Sequence, residues 1–209
     1  MEPSSFALWL ESALGGFDSA ILQGIHTIQQ SPADVILGPL SRLLALLGKR
    51  GVVPILLGVV LLLRQKTRRC GIGVLLALGF GALCTNVLLK PLVARPRPYD
   101  QMGTELYQWW LEAGASTESD LSFPSGHVTA AMAAMTAIFF LGGPARHTWP
   151  VFLFAGAMAF SRMYLMVHYP TDVLAGLLVG LGAGILATWL VRHHLPMHWF
   201  RVTDDQTGI

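Results

Sequence analysis

Apolar runs separated by short polar stretches recur along the chain and predict its main elements. The clear runs occupy residues 51–63, 70–89, 127–142, 149–167 and 172–191. A helix of about 20 residues crosses the hydrocarbon core of a bilayer, and we expect flanking residues to extend the shortest run toward that length. Because backbone in lipid must satisfy its own hydrogen bonds, the pattern predicts an all-α, polytopic transmembrane helical bundle with five spans.

The first 48 residues have a weaker pattern. Between residues 5 and 30 the apolar positions are interrupted by polar residues, namely Glu11, Asp18 and His26. This pattern favours one or two amphipathic helices at the membrane surface over a span. The segment 33–48 is apolar but short and carries Arg42, so it either crosses the membrane as a sixth span, dips into it or lies flat on it.

These patterns divide the chain into three parts. Residues 1–48 form an interfacial N-terminal part with at most one span, residues 49–192 form the transmembrane core, and residues 193–209 form a polar tail. The core contains one long polar loop, 90–126, which is rich in prolines and acidic residues. Two adjacent tryptophans in this loop predict a short interfacial helix there.

Alternation of the five spans places the basic clusters on one side of the membrane. These clusters are 64–69, 146–147 and the tail after residue 191. Short loops rich in Lys and Arg stay in the cytoplasm, so the tail is predicted to be cytoplasmic and the loop 90–126 extracytoplasmic. Short cytoplasmic loops and small size are typical of bacterial proteins, and we therefore expect a multi-pass protein of a bacterial inner membrane.

Composition supports the membrane class and limits the partners. Hydrophobic residues make up 53% of the chain and charged residues 12%, a balance unlike that of a soluble globular protein. The formal net charge of +2 is too small to indicate a nucleic-acid partner. Cys70 and Cys84 are interpreted as packing residues. The spacing of Gly176, Gly180 and Gly184 favours packing within the bundle over a dimer interface, and no obligate protein partner is indicated.

The stretch from Ser161 to Asp172 carries the strongest chemical signal. Arg162 lies inside an apolar run, where a guanidinium costs about 2.5–3.5 kcal/mol in lipid, so an anionic partner is expected. His168 ends that run and could act as a nucleophile, while Asp172 could hold its second ring nitrogen. In the alternative interpretation Asp172 only caps the following helix.

A second stretch, 90–98, carries two cations among prolines. Pro96 and Pro98 restrict the backbone on either side of Arg97, which directs its guanidinium. Arg binds phosphate bidentately and Lys binds it as a point charge, so Lys90 and Arg97 suit a phosphate group. The alternative is a basic cluster that contacts anionic lipid headgroups, and this is the role that we assign to Arg95.

A third stretch, 123–127, lies directly before an apolar run. Ser125 could simply cap the helix that begins there. The same geometry would present the backbone N–H of Gly126 to an anion. His127 would then lie at the entrance of the site, where it could act as a general acid.

Together the three stretches read Lys-x6-Arg-Pro, Pro-Ser-Gly-His and Ser-Arg-x5-His-x3-Asp. This three-part signature resembles that of the type 2 phosphatidic-acid phosphatase family. The signature also occurs in soluble vanadium haloperoxidases and acid phosphatases, but the hydropathy is similar to that of the integral membrane lipid-phosphatase branch. The resemblance covers about residues 51–190, whereas the clear first helix of six-span members has no obvious counterpart here.

The resemblance implies a role for each residue of the signature. His168 would take the phosphoryl group, Asp172 would orient it, and His127 would protonate the leaving oxygen and later activate water. The phosphate oxygens would be held by the remaining signature residues, which are Lys90, Arg97, Ser125, Gly126 and Arg162. Cations and amides can neutralise the phosphoryl oxygens by themselves, so we predict activity without a metal ion or other cofactor.

A site at the outer interface predicts a phosphate or diphosphate at the end of a lipid as the substrate. Undecaprenyl diphosphate, phosphatidylglycerophosphate and phosphatidic acid fit this description, and the carrier-lipid diphosphate is our first choice because the chain has bacterial features. One alternative is a lipid phosphotransferase that uses the same site. The other is a non-catalytic headgroup-binding or transport protein, which is less favoured because transporters usually bind near the bilayer midplane.

Overall fold

A computed structural model shows the chain as a bundle of helices. It describes residues 2–195, apart from the side chain of Arg50, and every regular element in that range is helical. The predicted all-α class is therefore confirmed for this range, while residues 196–209 of the predicted tail lie outside it. The α-helices are α1 (Ser5–Gln29), α2 (Asp34–Gly48), α3 (Val52–Leu63), α4 (Arg68–Ala82), α5 (Lys90–Val93), α6 (Glu105–Ala113), α7 (Gly126–Leu141), α8 (Ala145–Thr148), α9 (Val151–Tyr164) and α10 (Pro170–His194).

Helix α1 is a single amphipathic helix that packs on the bundle. Ser4 caps it, since its hydroxyl accepts a hydrogen bond from the Ala7 N–H and donates one to the Val93 carbonyl. Leu22 lies on the buried face and Trp9 on the exposed face. Asp18, one of the polar interruptions in the sequence pattern, lies on the buried face as well.

Helices α2 and α3 form a bent pair. A 3₁₀ turn, Lys49–Gly51, joins them, and their axes differ by 57°. Gly51 has φ of +68°, a left-handed conformation that glycine adopts at little cost. The pair is either one broken span or a re-entrant hairpin, which is consistent with the ambiguous pattern of the sequence around residues 33–48.

Helices α4, α7 and α10 form the centre of the bundle, and small residues let them approach closely. A Cβ on Gly180 would lie 2.6 Å from the Thr129 carbonyl oxygen, and one on Gly184 would lie 2.4 Å from Thr136 Cβ. Neither position accepts a side chain without a shift of α7. The prediction that these glycines serve packing within the bundle is confirmed.

By length and composition, two helical stretches between residues 2 and 195 qualify as membrane spans, or three if the bent pair counts as one. They are Arg68–Val93, in which a π-helical segment at Leu83–Leu89 connects α4 to α5, and Pro170–His194. Helices α7 and α9 are apolar but have only 16 and 14 residues. The protein is a membrane protein, and the number of five spans stays a prediction.

The long polar loop contains the short helix that its tryptophans predicted. In that helix, α6, Trp110 is buried and stacks on Tyr99 with ring centroids 4.6 Å apart. The Tyr99 hydroxyl accepts a hydrogen bond of 2.8 Å from the Glu118 N–H and lies 3.3 Å from the Glu118 carbonyl oxygen. These contacts hold the segment after α6 over the end of the bundle where the signature residues meet.

Candidate active site

The three signature stretches meet at one end of the bundle, around a cavity of about 570 Å³. Each reaches it from a different element: the end of α4–α5, the start of α7, and the loop between α9 and α10. The signature residues that line the cavity are Lys90, Arg97, Gly126, His127 and His168. Arg162 lines a neighbouring cavity of about 270 Å³, and Glu118 borders both.

His168 is almost fully buried, with 1% of its surface exposed. Its Nε2 lies 3.3 Å from Nη1 of Arg97. A guanidinium only donates hydrogen bonds, so Nε2 is the accepting nitrogen and Nδ1 carries the proton. Burial, together with the charges of Arg97 and Arg162, lowers the pKa of His168 well below the ordinary value of 6.5. The ring is therefore neutral, with the lone pair of Nε2 on the cavity side.

Asp172 lies behind the His168 ring and is fully buried. Its Oδ2 is 3.6 Å from Nδ1 of His168 and accepts a hydrogen bond of 2.5 Å from the Ser122 hydroxyl, which itself lies 3.4 Å from Nδ1. The same oxygen accepts the Tyr169 N–H at 3.0 Å, in a capping box at the start of α10. The two interpretations of Asp172 from the sequence are thus compatible, because it caps the helix and contacts His168 at once.

Arg95 does not contact lipid headgroups, and our interpretation of it was wrong. Its side chain is 2% exposed, and its Nη1 and Nη2 donate to carboxylates of Asp172 and Asp18 at 2.8 Å each. Its guanidinium also lies 3.9 Å from the centre of the Tyr169 ring. Asp18, a carboxylate among apolar residues, was the sign in the sequence that a buried cation is needed nearby. Sequence spacing does not relate residues 18 and 95, so it could not identify Arg95 as that cation.

Three cations, Lys90, Arg97 and Arg162, form what we call the cation cluster. In this structure acidic side chains of the polar loop neutralise it. Asp120 bridges the ammonium of Lys90 and Nη2 of Arg97, the latter at 2.5 Å, and Glu118 lies 3.4 Å from Nη1 of Arg162. Burial raises the pKa of Asp120, but its contacts with Lys90 and Arg97 outweigh this effect and hold the pKa below the ordinary value. No pattern in the sequence singles out these two acids.

Two backbone carbonyls direct the Arg97 guanidinium. Its Nε donates to the Asp120 carbonyl and its Nη1 to the Val167 carbonyl, both at 2.8 Å. The direction predicted from the flanking prolines is thus produced by hydrogen bonds as well. One consequence is that Arg97 faces the His168 ring and the cavity together.

The start of α7 adds polar groups that have no partner within residues 2–195. The Ser125 hydroxyl is fully buried and forms no hydrogen bond there, so the alternative in which it caps α7 is wrong. Nε of Arg162, which belongs to α9, is also buried without a hydrogen-bond partner in this range. Gly126 begins α7, and the N–H groups of a first helical turn point outward. Buried polar groups without partners are rare, so these donors are candidates for contact with a ligand.

His127 lines the cavity on the side of the α2–α3 bend. A Cβ on Gly48, the last residue of α2, would lie 2.8 Å from Cδ2 of His127 and 2.6 Å from Cε of Met158. The imidazole therefore packs directly on the Gly48 backbone. Between residues 2 and 195 no group of three or more His, Cys, Asp and Glu side chains is arranged to hold a metal ion.

Comparisons with known proteins identify a matching family, similar sequences and a similar fold. A family model, that of the PAP2 superfamily, matches residues 71–196, which is more than half of the chain. Undecaprenyl-diphosphatase BcrC of Bacillus subtilis is 32% identical over 108 residues, 52% of this chain and 51% of that protein. Decaprenylphosphoryl-5-phosphoribose phosphatase of Mycobacterium tuberculosis is 35% identical over 131 residues, 63% of this chain and 66% of that protein. The chain spans between about half and two thirds of the length of these curated relatives.

A solved structure extends the likeness to nearly the whole fold. It is the crystal structure of the first transmembrane PAP2 type phosphatidylglycerolphosphate phosphatase from Bacillus subtilis. Its TM-score with this chain is 0.63 at 26% identity, and the superposition covers 92% of this chain and 95% of the other. The N-terminal helices, which the family model does not match, therefore have counterparts in that fold.

Proposed function

Because the chain belongs to the PAP2 superfamily, we propose that it is a membrane lipid phosphatase that works through a phosphohistidine intermediate. One observation carries the proposal: a neutral, oriented histidine shares a cavity with cations, a helix N-terminus and a second histidine. Phosphoryl transfer depends mainly on positioning and on neutralising the phosphoryl oxygens, which is what these groups supply. The residues that carry the signature are the same ones that the fold brings together.

In the first step Nε2 of His168 attacks phosphorus and the bond from phosphorus to the lipid oxygen breaks. His127 gives its proton to the leaving oxygen. The ring of His168 then carries a positive charge, and Asp172, 3.6 Å from its Nδ1, stabilises that charge. In the second step His127 takes a proton from water, the water oxygen bonds to phosphorus, and the bond between phosphorus and Nε2 of His168 breaks. Free phosphate then leaves, with His168 neutral and His127 protonated again.

The cation cluster, the Ser125 hydroxyl and the Gly126 N–H bind the phosphoryl oxygens in both steps. Binding requires the acidic residues of the loop, Glu118 and Asp120, to give up their contacts with the cations. The anion then gives the buried Ser125 hydroxyl and Arg162 Nε the partners that they lack among residues 2–195.

We place the site on the extracytoplasmic side, since the basic loops at the opposite ends of the spans favour the cytoplasm. The cavity supports the substrate class that we propose. At about 570 Å³ it has the size of a pocket for a small organic molecule, and its lining includes the apolar residues Ile55 and Leu78. A phosphate or diphosphate with the first part of a lipid chain fits this mixture. Among such lipids we prefer an undecaprenyl-type carrier diphosphate, ahead of phosphatidylglycerophosphate and phosphatidic acid, because an undecaprenyl-diphosphatase is among the similar proteins.

Phosphate release by the purified protein in detergent tests the proposal. The three lipids are compared with chelator present, alongside His168→Ala and a matched control, His147→Ala, which changes an exposed histidine in α8. We expect release that survives chelator, persists in the control and disappears in His168→Ala. Absence of release from all three lipids by folded protein would refute the proposal, and transfer of phosphate to an added alcohol without release would indicate a phosphotransferase.

A further inference from the structure

Asp172 belongs to a buried group of charges, and the chemistry described so far does not use the other members of this group. Arg95 lies between two carboxylates, donating through Nη2 to Asp18 and through Nη1 to Asp172, each at 2.8 Å. All three side chains are at most 2% exposed. Thr171 completes the group, because its N–H and hydroxyl donate to Asp18 at 2.9 and 2.7 Å. None of these residues lines the cavity.

Burying such a group costs free energy of folding, which suggests that it serves a purpose beyond stability. Burying three charges costs more than well-packed apolar side chains of similar size, and removing one partner leaves an unpaired charge. Two carboxylates and one guanidinium also leave a formal charge of −1 beside His168. Glu11 lies at the edge of this group, with its Oε2 3.4 Å from Nη2 of Arg95. Its side chain is 61% exposed, so water screens its charge.

The contacts of Asp172 show what the group controls. Its Oδ1 is occupied by Arg95, whereas its Oδ2 faces the Ser122 hydroxyl and Nδ1 of His168. A carboxylate rotates as one plane, so a bond that fixes Oδ1 also fixes the direction of Oδ2. Asp18 fixes Arg95 in turn, through a direct bond and through the Thr171 hydroxyl.

We propose that Asp18 and Arg95 are positioning residues that keep the Asp172 carboxylate directed at His168, which makes helix α1 part of the catalytic apparatus. The inference rests on the proposed function. As the bond from Nε2 of His168 to phosphorus forms, the substrate P–O bond breaks and the leaving oxygen takes the proton of His127. The positive charge that remains on the His168 ring is then stabilised by the net negative charge of the buried group.

Asp18→Asn tests this inference, because it removes one charge and keeps the size of the side chain. The matched control is Glu11→Gln, which makes the same change on the same helix, toward the same arginine, at an exposed position. We expect kcat of Asp18→Asn to fall by roughly 10- to 100-fold, the effect of a small misplacement at a reacting group. KM and the affinity for vanadate should stay within about twofold, since the cation cluster is intact, and the control should match the wild type.

A second measurement does not depend on turnover. The ¹⁵N chemical shift of Nδ1 of His168, recorded on protein with labelled histidine, reports its contact with Ser122 and Asp172. We expect this shift to change in Asp18→Asn and to stay constant in Glu11→Gln. A wild-type protein that releases no phosphate would refute the proposed function, and the shift would still decide this inference.

Arg95 provides the second pair of variants. Arg95→Lys keeps the charge but cannot bond both carboxylates with a rigid fork, so it should retain part of kcat, whereas Arg95→Met should lose more. Unchanged kcat and unchanged Nδ1 shift in folded Asp18→Asn would overturn the inference. Equal losses in the two Arg95 variants, or failure of all these variants to fold, would assign the group to folding alone and overturn it as well.

Discussion

Replacing Asp120 by asparagine should make the protein bind phosphate more tightly. The Asp120 carboxylate bridges Lys90 and Arg97, two members of the cation cluster that we assign to phosphate binding. A phosphate group must displace it before it can bind both cations. Asparagine has the same shape but no charge, so the cations are held less firmly and an incoming anion has less competition.

The magnitude follows from the exposure of the carboxylate. The Asp120 side chain is 49% exposed, so each of its two ion pairs contributes only about 0.5–1 kcal/mol. Loss of both amounts to about 1–2 kcal/mol, which corresponds to roughly 5- to 30-fold tighter binding, at about 1.4 kcal/mol for each factor of ten. Water and ions reach this carboxylate, so the gain should shrink as salt concentration rises.

The assay is inhibition of lipid hydrolysis by inorganic phosphate, with the inhibition constant compared between the wild type and Asp120→Asn. Glu105→Gln is the matched control, because it removes a negative charge from an exposed residue of the same loop. An unchanged inhibition constant in Asp120→Asn would show that the carboxylate does not compete with phosphate. A weaker affinity would show that Asp120 orients the cations, and either result refutes the reasoning.

Three further predictions concern neighbouring residues. Ser125→Ala removes a buried hydroxyl that has no hydrogen-bond partner in the described part of the chain, so the melting temperature should not fall. We expect kcat/KM to drop by roughly 10- to 100-fold through loss of a hydrogen bond to a charged group, and a lower melting temperature would contradict this reasoning. Gly48→Ala should displace the His127 ring and slow turnover by roughly 10-fold or more, and p-nitrophenyl phosphate, whose leaving group needs little protonation, should be affected less than lipid phosphate. The lowered pKa of His168 keeps its ring neutral in mildly acidic solution, so kcat/KM should begin to fall only below pH 6.5. NMR of the histidine follows its protonation directly. A ring that already becomes protonated above pH 6.5 would contradict the arrangement.

Local chemistry made part of the site predictable from the sequence. Arg162 stood out because a guanidinium inside an apolar run requires a compensating partner, and His168 stood out at the end of the same run. The spacing of these residues, together with Lys90 and Arg97, identified the family, which the family model confirms. Their positions at the ends of the apolar runs also predicted that they lie at one end of the bundle.

The side chains that contact these residues could not be predicted from the sequence. Asp120 and Glu118 lie in an irregular loop, whose path depends on the packing of Tyr99 and Trp110 and follows no period. The same limit applies to Ser122, which lies between His168 and Asp172. Irregular backbone carries no repeating pattern from which a contact could be inferred.

The sequence by itself determined the helical class, the membrane setting and the residues of the signature, because hydrophobic period and the cost of charge in lipid act locally. Only the tertiary structure decided that Asp18 of α1 meets Arg95 and, through it, Asp172. Contacts between residues so distant in the chain arise from how whole helices pack. The strength of a charge pair depends on its burial, which is a property of the assembled bundle and of no single segment.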